Sequence, residues 1–155
     1  MSERDTAGID VAETEGAGTD AAARAWHNLR VLLQERGDRR REATEALGLS
    51  FARIKALRRL AGAGPMTLRE LADVLLTDRP YTTILVDDLV ERGLVERNPN
   101  PVDRRSKIVA VTDAGRAAAA EAERILDTPP PALYDLPPDD LAALDRIAAR
   151  LVEEG

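Results

Sequence analysis

The chain contains no cysteine and a single histidine, His27. Without thiols there are no disulfides, no thiolate metal sites and no thiol redox switch. One histidine argues against a histidine-rich metal centre and against a catalytic triad. Apolar runs are short, and none approaches the ~20 residues that a membrane-spanning helix needs. The first residues lack the basic-then-apolar pattern of a secretory signal. No phosphate-cradling loop, nucleophile–base pair or metal cluster is visible. These absences predict a cytoplasmic protein with no membrane partner, no cofactor and no covalent chemistry, and so not an enzyme.

What is present is charge and helix-forming sequence. The 155 residues fit one domain with helical appendages. The net charge of -6 is spread unevenly along the chain. Residues 1–20 hold one basic and six acidic groups, whereas residues 21–64 hold ten basic and four acidic. Residues 65–116 are nearly neutral, and residues 117–155 hold three basic and nine acidic groups. An acidic total argues against tight, indiscriminate DNA binding, yet leaves room for a local basic surface.

Residues 1–18 are small and acidic and lack apolar periodicity, which predicts a disordered acidic tail. From Ala21 the pattern becomes helical. Ala22, Ala25, Trp26, Leu29 and Leu33 recur at three- and four-residue steps until Gly37-Asp38 interrupts them. A shorter helix follows from about Arg39 to Leu47. Gly48 ends it and Ser50 caps the next, whose apolar face carries Phe51, Ile54, Leu57 and Leu60.

The middle of the chain is more specific. Thr67 and Glu70 form a capping-box pair ahead of a short helix with Leu68, Leu71, Ala72 and Leu75 on one face. Pro80 suits the first turn of a second helix that Gly93 ends. Two short helices joined by a tight turn are a helix-turn-helix. Leu94–Arg97 and Lys107–Val111 then read as two strands around a proline-rich loop, which is a hairpin wing. Thr112 caps a helix to about Leu126. Five prolines between Asp127 and Pro138 mark a connector before a last helix with Leu141, Leu144, Ile147, Ala148 and Leu151 on one stripe.

The stretch from Gly64 to Arg116 resembles the MarR family of winged helix-turn-helix regulators. Gly93-Leu94-Val95-Glu96-Arg97, then Asp103-Arg104-Arg105, then Val111-Thr112 and Ala114-Gly115 follow that family's wing signature in order and spacing. The resemblance implies a mainly α fold with a small β-hairpin, and a homodimer whose terminal helices pair. The resulting boundaries are an acidic tail at 1–18, N-terminal dimerisation helices at 19–49, a winged DNA-binding domain at 50–116 and C-terminal dimerisation helices at 117–155. Two positions depart from the pattern: Leu76 stands where glycine is usual in the turn, and Thr82 where an apolar residue usually locks the two helices.

A 100° step along the second helix puts Thr82, Leu85, Val86 and Leu89 inward. The N-terminal part of such a helix reads base edges. The DNA-facing segment is therefore Arg79, Pro80, Tyr81, Thr82, Thr83 and Ile84, with Arg79, Tyr81, Thr83 and Ile84 as its readers. Asp87, Asp88 and Glu91 must turn from the phosphates. In the wing, Arg104, Arg105 and Lys107 flank the tip. The match to the family motif makes Arg105 the minor-groove arginine and Asp103 the residue that orients it. The competing account of these arginines is a solvated hairpin with an internal Asp–Arg pair.

The terminal apolar stripes exceed what a small winged domain covers, which points to a twin subunit. Leu29, Leu33, Leu133, Leu136, Leu141, Leu144, Ile147 and Leu151 are the interface candidates. A dimer would read an inverted repeat in double-stranded DNA. The resemblance also implies release by a small aromatic effector, for which Trp26, His27, Arg30 and Phe51 are candidate lining residues. The function expected is a DNA-binding regulator, a repressor before an activator. The alternative is a winged helix that binds another protein and no DNA.

Overall fold

A computed structural model of the chain describes residues 9–154, with side-chain environments from Gly16 onward. The helices are α1 (Ile9–Val31), α2 (Arg39–Leu47), α3 (Phe51–Ala63), α4 (Leu68–Leu75), α5 (Arg79–Glu91), α6 (Asp113–Leu126), α7 (Pro131–Tyr134) and α8 (Pro138–Glu154). A π-helical turn, Leu32–Arg36, continues α1. Strands β1 (Met66–Thr67), β2 (Val95–Pro99) and β3 (Lys107–Val111) form one antiparallel sheet in the order β1-β3-β2. The chain divides into two compact units. One is Arg39–Thr128; the other is built from the segments before Arg39 and after Thr128.

The Arg39–Thr128 unit is a winged helix with one apolar core. Ile54, Leu57 and Leu60 of α3 meet Leu71 and Leu75 of α4, and Leu85, Val86 and Leu89 of α5. Val95 and Val109 close the sheet side. Each such side chain contributes roughly 1.5–3 kcal/mol by leaving water. The unit is wider than the expected 50–116 boundaries. Ala43 of α2 and Ala119, Ala122 and Ile125 of α6 belong to the same core. Alanine rows carry much of that contact, and a pattern search keyed on large apolar residues does not see them.

Local chemistry explains the elements. Thr67 Oγ1 accepts from the Glu70 amide at 3.2 Å, and Glu70 Oε2 accepts from the Thr67 amide at 2.8 Å. That closes the expected capping box of α4. Asp78 caps α5 by accepting from the Tyr81 amide at 2.7 Å, with Pro80 in the first turn. Between them Leu76 adopts φ 55° and ψ 44°, the left-handed region. Its amide bonds to the carbonyls of Ala72 and Asp73.

The expected hairpin gains a third strand. Met66 pairs with Val109 and Thr67 with Ile108. Two residues are too few to show a period of two, so β1 was invisible in the pattern. The wing joins α6 at a point where only glycine fits. A Cβ on Gly115 would lie 1.8 Å from the Leu94 carbonyl oxygen. The cap Thr112 holds this junction, donating to the Gly93 carbonyl at 2.6 Å and accepting from the Gly115 amide at 3.1 Å.

In the unit of the terminal segments no described side chain is fully buried. Leu33, Ile147 and Leu151 are 60%, 51% and 61% exposed. The expected tail at 1–18 needs correction. Its first eight residues lie outside the described ones, but residues 9–18 form the opening turns of α1. Gly16 and Gly18 disfavour a helix by propensity, so the segment gives neither an apolar stripe nor a compositional signal for it.

Candidate nucleic-acid interface

The α5 helix buries Thr82, Leu85, Val86 and Leu89. It leaves Arg79, Pro80, Tyr81 and Ile84 exposed, with Thr83 half-buried. Thr83 Oγ1 donates to the Arg79 carbonyl at 2.9 Å. Thr82 must be removed from the DNA-facing set, because it is fully buried. Its hydroxyl donates to the Asp78 carbonyl at 2.8 Å and lies 2.8 Å from Thr77 Oγ1. A hydroxyl has one proton, so Thr77 is the donor in that second bond. The pair replaces the usual apolar lock between the helices with a polar one.

Two of the three acidic residues of α5 are paired within the fold, and Glu91 is exposed at its end. Asp87 pairs with Arg97 of β2. Asp88 accepts from Arg53 of α3 at 2.6 Å and from Arg92 at 2.8 Å. Partial burial pushes the Asp88 carboxyl up, but the hydrogen bonds and charges of Arg92 and Arg53 outweigh it and hold the group below its ordinary value. Arg92 also donates to the Gly48 carbonyl and Arg53 to Ser50 Oγ, so this network fastens the end of α5 to the start of α3.

The wing tip is a hydrogen-bonded turn. Asn100 Oδ1 accepts from the Val102 amide at 3.0 Å, and Asn100 Nδ2 donates to Ser106 Oγ at 2.9 Å. Asp103 Oδ1 accepts from the Arg105 amide at 3.0 Å and lies 3.4 Å from Arg105 Nε. The Arg105 side chain is nevertheless 93% exposed, so the carboxylate sits at its base and the guanidinium projects outward. Arg104 and Lys107 are exposed beside it.

A cleft of about 500 Å³ opens between the start of α4, the start of α5 and the wing. Arg69, Arg79, Arg97, Arg105 and Lys107 line it against one carboxylate, Asp103. Among the described residues Arg69, Arg79, Arg104 and Lys107 make no ion pair. An anion there meets uncompensated positive charge, although the whole chain is acidic. Sequence reading missed Arg69 and Arg97. Arg69 lies two residues past the cap of α4, on a helix the reading treated as support. Arg97 lies on the same strand face as buried Val95, where it reaches α5.

The proposed effector residues fall in different units. Trp26, His27 and Arg30 are exposed on α1, with Arg30 3.7 Å from Glu35. Phe51 begins α3, half-buried, with the Arg40 guanidinium 4.9 Å from its ring centre.

Comparison with known proteins decides the family. The MarR family model matches residues 47–106. The multiple antibiotic resistance protein MarR of Escherichia coli is 30% identical over 113 residues, covering 72% of this chain and 78% of that one. The chain belongs to the MarR family. It is a DNA-binding transcriptional regulator, as that family's members are. A crystal structure of mutant E. coli MarR complexed with operator DNA superposes with a TM-score of 0.58 at 27% identity, covering 81% of this chain and 91% of that one. The YusO protein of Bacillus subtilis shares the fold, with a TM-score of 0.72 at 22% identity over 88% of this chain and 98% of that one. Of the motifs that carried the resemblance, those from Gly93 to Arg105 lie inside the matched region, and Val111-Thr112 and Ala114-Gly115 lie beyond it.

Proposed function

We propose that the protein is a homodimeric repressor that grips an inverted repeat through its two winged units. The observation that carries this reading is the five-cation cleft beside the exposed first turns of α5. In it, α5 enters the major groove, with Arg79 placed for guanine or a phosphate and Ile84 for a thymine methyl. Arg69 and Lys107 hold phosphates on either side. Arg105 reaches into the adjacent minor groove, where A·T-rich sequence deepens the negative potential. The pairing of Asp87 and Asp88 with arginines favours DNA over a protein partner, because it removes the repulsion those carboxylates would exert.

Dimerisation rests on the terminal helices. Trp26, Leu33, Ile147 and Leu151 are half or more exposed in the single chain, and a second copy would remove them from water. Two α5 helices about 34–36 Å apart would then meet successive turns of one DNA face. Bound over a promoter, such a dimer blocks transcription in the cytoplasm. A small aromatic anion near Trp26, His27 and Arg30 would supply release.

Fluorescence anisotropy with a duplex from upstream of the protein's own gene tests this reading. The parent should bind it roughly 10³-fold or more tighter than random duplex at physiological salt. Arg105→Ala should cost about 1–3 kcal/mol of that affinity. Equal affinity for both duplexes, or an unaffected Arg105→Ala variant, overturns it.

A further inference from the structure

The hydroxyl pair that replaces an apolar lock between α4 and α5 is part of a directed chain across the turn. Thr77 is anchored to α4, its amide donating to the Ala72 carbonyl at 3.0 Å. Its hydroxyl crosses the turn and donates to Thr82 Oγ1 at 2.8 Å. Thr82 is fully buried and passes its own proton to the Asp78 carbonyl at 2.8 Å. Asp78 in turn caps α5 through the Tyr81 amide. The chain therefore ends at the first turns of α5, where Arg79, Tyr81 and Ile84 stand exposed. Apolar packing is thin beside it. Leu76 in the turn is 93% exposed, and a space of about 50 Å³ lined by Ala52, Lys55, Leu75, Thr77 and Leu85 adjoins Thr77.

We propose that Thr77 and Thr82 are positioning residues for base reading: their hydrogen bond fixes the rotation of α5 about its own axis and so aims Arg79 and Ile84. This rests on the reading of α5 as the major-groove element. An apolar seam is held by burial, which has no preferred direction, so a helix rolls on it at small cost. An O–H···O bond weakens steeply once it leaves its line. Precise contacts tolerate only about 0.5 Å and roughly 10–20° of misplacement, so a small roll at the seam is enough to lose a base contact. Phosphate contacts made by long, flexible arginine and lysine side chains absorb the same roll. The lock therefore acts on discrimination between sequences and leaves general affinity for DNA alone.

The test uses the full-length chain, a duplex that the parent selects from random DNA, and a random duplex of equal length. Thr77→Val removes the donor, and Thr77→Val with Thr82→Val removes the pair. Replacing both partners of a hydrogen bond by apolar groups of like shape costs little stability, and the Thr82 amide still satisfies the Asp78 carbonyl at 3.0 Å. The double variant should therefore keep the thermal midpoint of the parent. Its affinity for the selected duplex should fall about tenfold, with both units of a dimer contributing, while its affinity for the random duplex stays the same. Thr77→Val alone should lose discrimination in the same way, and Thr77→Ser, which keeps the hydroxyl, should discriminate as the parent does. A double variant that discriminates like the parent, a loss shared equally by both duplexes, or a Thr77→Ser variant as impaired as Thr77→Val overturns the proposal. Arg79→Ala is measured beside them. If it loses discrimination and the threonine variants do not, only the lock fails. If none of them loses it, α5 is not the reading element and the major-groove reading fails with the lock.

Discussion

Leu76 holds a left-handed backbone, with φ 55°, in the turn between α4 and α5. For a residue with a Cβ this costs roughly 1–2 kcal/mol. The side chain is 93% exposed, so its packing returns almost nothing. Leu76→Gly should therefore stabilise the winged unit by about 1 kcal/mol, read as a higher urea midpoint with the same slope. A lower midpoint would mean that the leucine makes a contact that offsets its strain. The position of this turn was legible in the sequence, because the chain spacing placed Leu76 where glycine is usual. Thr82 was half legible. Its inward direction followed from the helical step, but its hydroxyl partner Thr77 lies five residues back across the turn and belongs to no local pattern. Gly115 was visible as a motif letter, while its reason, the close approach of the Leu94 carbonyl, exists only in three dimensions.

Among the elements, the helices of the winged unit were readable because caps and stripes act within a few residues. Ser50, Thr67 and Thr112 each cap the helix that follows them, as their positions in the sequence suggest, whereas the Asp78 cap of α5 emerged only in the structure. Strand β1 and the cleft were not readable, since both depend on segments far apart in the chain. The network around Asp88 is of the same long-range kind, and it makes a pH-dependent statement. Its folded carboxyl titrates below the ordinary value because Arg53 and Arg92 bind the charged form. A depressed folded pKa gives stability that is complete above the unfolded carboxylate value of about 3.9 and is lost as pH falls through the lower folded value. Asp88→Asn should accordingly unfold at lower urea than the parent at pH 6. The gap between the two should narrow steadily below pH 4. A gap that stays constant to pH 2 would show that Asp88 acts through shape and not through charge.

For the whole molecule, the two units differ in kind. The Arg39–Thr128 unit has its own core, and the terminal helices have no fully buried side chain of their own among the described residues. The stripe along α8 was plain in the sequence, and no residue on it is fully buried among the described residues; the winged unit extends past 50 and 116 because alanines of α2 and α6 join its core. Light scattering should give twice the chain mass for the parent. Ile147→Asp with Leu151→Asp should give a single chain mass and weaken operator binding, while the folded winged unit persists by circular dichroism. A parent of single-chain mass would contradict the dimer.

The central claim is that the cleft between α4, α5 and the wing holds the DNA backbone. The most direct measurement is the slope of log affinity against log salt for the parent and for Arg69→Gln, Arg79→Gln and Lys107→Gln. Each substitution removes one cation from each subunit of the dimer, so at about 0.9 per phosphate contact the slope should flatten by about 1.8. Slopes that match the parent for all three variants would place the duplex elsewhere and contradict the account.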